Sequence, residues 1–171
     1  MVTSVRLTLP QRPSWVRWLA GAVLPGVVVL QVVVAGLQTF VLNPLAAAPE
    51  GMGLGEIYRV MRDVGEAPFV LMPLLILALG LLAAVALVFV SWRREEVDPL
   101  PVMALGFGAV ICATPAYFLL SFNMGMSLAD TFGITGGDHS PWAWPIYLAS
   151  IAAIIAFPLC MGAALVRGRR R

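Results

Sequence analysis

Lysine is absent from this chain of 171 residues, histidine occurs once, cysteine twice, and charged residues of every kind make up only 12%. Each scarcity excludes something. So little charge beside 60% apolar residues and a mean hydropathy of +0.91 excludes a disordered chain and an ordinary water-soluble domain. A dispersed net charge of +2 leaves no basic footprint for a nucleic acid. One histidine cannot supply the usual pair of axial ligands to a haem inside a membrane. Two cysteines, without a second pair, do not match the four-helix membrane disulfide oxidoreductases. No phosphate loop, no cluster with metal-ligand spacing, no catalytic triad pattern and no internal repeat is present, so the expectation is no cofactor and no catalytic residue.

What is there is four long apolar runs. The first, 19–42, holds 24 residues without a charge, relieved only by Gln31, Gln38 and Thr39, and the others are 68–90, 100–122 and 142–166. Each suffices to cross a hydrocarbon layer of roughly 30 Å. Each must then be helical, because lipid offers no partner to a backbone N–H or C=O. Pro68, Pro101 and Pro141 fall where a first turn needs no N–H, whereas Pro25, Pro115 and Pro158 fall inside spans and predict kinks. The first run is too long for a signal-peptide core of 7 to 15 residues, and Pro49 would follow the cleavage site suggested by Ala46-Ala47-Ala48, so a retained span is expected.

Charge sorted by segment gives the orientation. The segment before the first span, the turn 91–99 and the segment after Val166 carry nine arginines and three carboxylates; the connections 43–67 and 123–141 carry two arginines and six carboxylates. Net charge is then +6 on one side and −4 on the other. By the positive-inside bias both termini are cytoplasmic and the two long connections lie outside. Trp15, Trp18 and Trp92 mark the inner interface, and Trp142, Trp144 and Tyr147 the outer one. The expectation is a single integral membrane domain over 1–171: an all-α, four-transmembrane-helix bundle with a short amphipathic helix in the first outer loop. There Leu54, Ile57, Tyr58, Met61 and Val64 share a face, opposite Glu56, Arg59, Asp63 and Glu66. That apolar face is expected to lie on lipid headgroups or on the top of the bundle.

Helices in lipid associate through small residues that let backbones approach. Ala104, Gly108, Cys112 and Ala116 recur every four residues in the third span, and Ala152, Ala156, Cys160 and Ala164 in the fourth. Antiparallel pairing of 104 with 164, 108 with 160, 112 with 156 and 116 with 152 sets small against small, so a helix-packing seam is expected there. Cys112 and Cys160 then differ in depth by about 6 Å, awkward for a disulfide, and read as packing residues.

Few side chains remain for chemistry. Met124, Met126 and His139 are soft donors of the kind that hold Cu(I), although methionine returning over an apolar bundle ordinarily packs, and no metal is expected. Asp138 beside His139 lacks a nucleophile and an oxyanion stabiliser in the same loop. No span contains an ionisable residue, which argues against a single-chain proton-coupled transporter. Gln31 and Gln38, seven residues apart, form with Thr39 a polar stripe that either holds helices together or lines a pathway. The function expected from these features is a non-catalytic accessory or structural subunit of a membrane assembly; the alternative is an oligomeric channel or transporter component whose pathway runs along the first span. The partners expected are the lipid bilayer and other membrane subunits or further copies of the chain, with no nucleic acid. Arginine as the sole cation, with abundant Ala, Val and Gly, suggests a GC-rich bacterial gene and hence a bacterial plasma membrane.

Overall fold

The computed structural model describes residues 18–93 and 99–169, and all regular structure among them is helical. The segment before Trp18, the turn 94–98 with its arginine and three acids, and the last two arginines lie outside the described residues. Four helices are long and apolar enough to cross a membrane. We label them α1 (Leu19–Ala47), α3 (Leu71–Arg93), α4 (Pro99–Phe132) and α5 (Trp144–Arg169), with the short α2 (Leu54–Asp63) between the first two. A 3₁₀ turn, Pro141–Ala143, leads into α5.

Proline shapes α1. The helix widens into a π turn at Leu19–Val23 and again at Gln38–Leu42, and each π turn ends two residues before a proline, Pro25 or Pro44. A proline lacks the N–H of the i→i−4 bond and its ring crowds the carbonyl four residues back, and a wider turn relieves that crowding. The carbonyl four before Pro44 belongs to Phe40, and the Tyr58 hydroxyl of α2 donates to it at 2.9 Å. Near Pro25 the Ser91 hydroxyl of α3 donates to the Ala20 carbonyl at 3.4 Å while also donating to Leu87 at 2.7 Å. At Pro44 a side chain from a neighbouring helix thus satisfies a backbone group that proline frees, as lipid requires.

Two helices run past the expected limits. α1 continues to Ala47, and α4 continues ten residues beyond Phe122, about 15 Å of extra helix. The expected loop 123–141 is therefore mostly helix, and only 133–140 is loop. The extension carries Asn123, Ser127, Asp130 and Thr131, polar enough to leave the hydrocarbon, yet it buries Met124 and Leu128 against Ile57 and Met61 of α2. The amphipathic helix thus lays its apolar face on the bundle. It ends at Gly65, where φ of +84° lets Gly65 and Glu66 N–H return to the Arg62 and Met61 carbonyls. On its exposed side Arg59 bridges Glu56 at 3.6 Å.

Three apolar clusters stack along the bundle. Ala20, Leu24, Leu87, Val102 and Val110 lie toward the end that bears Trp18 and Trp92; Ala35, Tyr117, Leu120 and Ile146 lie mid-way; the α2 cluster closes the other end. Trp18, Trp92, Trp142 and Trp144 are all exposed. Glycine sets the closest helix approaches: a Cβ at Gly106 of α4 would meet Leu24, and one at Gly80 of α3 would meet Val32.

Candidate functional site

The side chains with chemistry to offer converge on one polar column, from mid-bundle to the loop 133–140. At its deep end Gln31, 5% exposed, reaches from α1 to two other helices, with Nε2 donating to the Val110 carbonyl of α4 at 3.4 Å and the Ile146 carbonyl of α5 at 3.5 Å. Ser150 Oγ donates to the same Val110 carbonyl at 2.8 Å. Val110 lies five residues before Pro115 on the same helix. Two π-turn residues come next: Gln38, whose Nε2 donates to the Ser140 carbonyl at 3.2 Å, and the buried Thr39. Asn43 closes the column, accepting from His139 N–H at 2.6 Å and donating to the Gly137 carbonyl at 3.5 Å.

The π turn places Asn43. An α-helix would rotate residue 43 about 140° away from residue 38. The wide turn instead bonds Asn43 N–H to the Gln38 carbonyl and carries Asn43 back over Gln38.

Above the column the exposed Asp138 carboxylate takes two hydroxyls, from Tyr117 at 2.5 Å and Tyr147 at 2.8 Å, whose rings meet edge to face. Tyr117 is 1% exposed and belongs to α4, Tyr147 to α5; Asp138 therefore ties the loop to both helices. His139 turns its ring to the Thr135 carbonyl at 2.8 Å, so the neighbouring acid and imidazole take different partners. Backbone contact holds the loop as well: a Cβ on Gly125 of α4 would strike the Gly136 carbonyl. The arrangement can fix a loop on a helical bundle; it presents no aligned nucleophile and base.

Gln31 and Gln38 are thus used inside the chain, on backbone carbonyls of other elements, and Thr39 is buried beside Gln38 with its hydroxyl unpartnered. Met124 is spent in the α2 cluster, while Met126 lies against Gly136. The small-residue register falls differently. α4 and α5 do form the most extensive helix pair, but a Cβ at Gly108 would meet nothing within 4 Å, and Cys112 and Ala152 are exposed. Ala104, Ala116, Ala156 and Cys160 are half-buried, and the Ala164 side chain lies outside the described residues. What α5 buries is Ile146, Ser150 and Ala153, one or two residues off the expected stripe, and Gly106, Val110 and Tyr117 are among the residues that α4 buries in its place. Asn43, Tyr117, Ser140 and Ser150 are polar members that reading the spans as ideal helices misses; extending the first span by one turn past Leu42 reaches Asn43. No protein family matches the chain, and no curated protein or solved structure is significantly similar to it.

Proposed function

We propose that this chain is a non-catalytic integral membrane protein, an accessory or structural subunit that acts through helix contacts in a larger assembly. One observation carries the reading: the amide nitrogens of the first span donate within the chain, to carbonyls of Val110, Ile146 and Ser140, rather than turning outward. The small residues that α4 and α5 do not use on each other support it, since Ala152 and Gly162 lie open on the outer surface of α5 and permit a close partner helix. α3 exposes Leu75, Leu79, Leu82 and Val85 along its length, a face for lipid or another subunit. The charge distribution supports cytoplasmic termini, with the Asp138 end outside, and composition supports a bacterial plasma membrane. Extraction in mild detergent, with mass and co-purifying chains determined, tests this. A complex with other proteins is the expected result. A closed homo-oligomer favours the alternative, a channel or transporter component with its path along α1, and a stable lone monomer counts against both.

A further inference from the structure

The bundle contains a cavity of about 300 Å³ between α1, α3 and α4, at the small end of the range for ligand sites. Its wall is apolar, with Val28, Val32, Ile76 and Leu77 prominent, and Gln31 brings the one amide. That amide is poorly used by the fold. Its nitrogen makes two long bonds, at 3.4 and 3.5 Å, and its Oε1, buried, has no hydrogen-bond partner. A leucine would fill the position at lower cost if holding helices were the residue's whole task.

The missing partner is a donor, and the lining says which kind. Water is held by two to four polar groups, and here it would find one amide oxygen and the weak thiol of Cys112, since Tyr117, which also lines the wall, has its hydroxyl proton committed to Asp138. Charged ligands meet no countercharge in the wall. Ketones and quinones bring only acceptors. The mouth is flanked by the exposed Leu79, Cys112 and Leu119, which places the way in on the lateral, lipid-facing surface. We propose that this cavity binds an apolar alcohol dissolved in the bilayer, its chain among the aliphatic side chains and its hydroxyl donating to Gln31 Oε1. At roughly 30 Å³ per small group, the space suits about ten heavy atoms.

Cys112 is a built-in reporter, because it lines this cavity while the only other cysteine, Cys160, packs on α5 against another cluster. The detergent-purified full chain is alkylated with N-ethylmaleimide in the presence of decan-1-ol or decane, and both cysteines are followed by peptide mass spectrometry. Decan-1-ol is expected to slow Cys112 at about tenfold lower concentration than decane, the worth of one hydrogen bond, with Cys160 unchanged. Gln31→Leu should erase the difference between the two probes. Ala83→Phe, which fills the cavity from α3 and leaves the amide intact, should erase protection altogether. Equal protection by decane and decan-1-ol in the unaltered chain, protection by neither, or a preference that survives Gln31→Leu overturns the proposal.

Discussion

Gly125 and Gly108 sit on the same helix, both away from its ends, and alanine at the two positions should move stability in opposite directions. Alanine is favoured over glycine in a helix by about 0.8 to 1 kcal/mol, and that gain is common to both. At Gly108 nothing lies within 4 Å of the new methyl group, so the gain stands alone. At Gly125 the methyl would strike the Gly136 carbonyl, a backbone atom in a loop held on several sides. Overpacking of this kind costs about 1 to 3 kcal/mol. Relief requires the loop to lift, and the loop carries the Gln38–Ser140, Asn43–His139, Tyr117–Asp138 and Tyr147–Asp138 bonds. Losing two of them adds about 1 to 3 kcal/mol. The helical gain is outweighed, leaving Gly125→Ala destabilised by about 1 to 5 kcal/mol.

Thermal unfolding in detergent reads the difference. At about 2 to 4 °C per kcal/mol for a chain of this size, Gly125→Ala should melt about 2 to 20 °C lower and Gly108→Ala about 2 to 4 °C higher than the parent. Amide exchange separates a lifted loop from general loosening: residues 134–140 should exchange faster in Gly125→Ala while α3 keeps its protection. If Gly108→Ala is the destabilised variant, the small-residue face of α4 is packed after all and the loop contact is unimportant. Equal melting points for the two variants would sink the reasoning as well.

Other substitutions probe the remaining links. Tyr58→Phe leaves the Phe40 carbonyl without its side-chain donor and should cost about 1 kcal/mol near neutral pH. Burial pushes the Tyr58 hydroxyl up from 10.0 to about 12, so its stabilising contribution is intact below pH 10 and is lost as pH rises toward 12; the gap between parent and variant in melting temperature should close over that window. Asp138→Ala should be more damaging than Tyr147→Phe, because it strands the buried Tyr117 hydroxyl at a cost of about 1 to 3 kcal/mol, whereas Tyr147 is only half-buried and its bond to Asp138 is exposed. Denaturation with both variants checks the order, and the reverse order would remove Asp138 from the centre of the loop anchor. Gln38→Leu should destabilise by about 1 kcal/mol while Gln31→Leu is neutral or better, since only Gln38 makes a bond shorter than 3.4 Å; comparable losses from both would make Gln31 a structural residue like its neighbour.

The parts of this molecule legible in its sequence are those that depend on a sum over many residues. Four spans follow from runs of apolar residues, and α2 follows from Ile57, Tyr58 and Met61 lying on one side of a helix, because each side chain adds to the same burial. The boundaries were less legible. Past Phe122, polar residues suggest a loop, yet Met124 and Leu128 keep the helix going by packing on α2, a contact between segments about 65 residues apart. The seam was less legible still, because a repeat of every fourth residue marks small side chains without saying which neighbour they face; Gly106, held by Leu24 of α1, lies just two residues from the open Gly108.

Proline explains the largest gap between sequence and site. Pro25, Pro44 and Pro115 are visible in the sequence as obstacles to a helix, and the expectation drawn from Pro25 and Pro115 is a kink. In the fold each stands near a carbonyl that takes a side chain from another element: Ala20 from Ser91, Phe40 from Tyr58, and Val110 from Gln31 and Ser150. A defect that would only weaken a helix in water becomes, where lipid supplies no hydrogen bonds, the place at which one helix recognises another. The second π turn does more, since it turns Asn43 onto the Gln38 face and so assembles the column that anchors the loop. Reading the first span with a constant period of 3.6 hides this residue. Allowing a five-residue turn before Pro44 recovers Asn43 from the sequence alone.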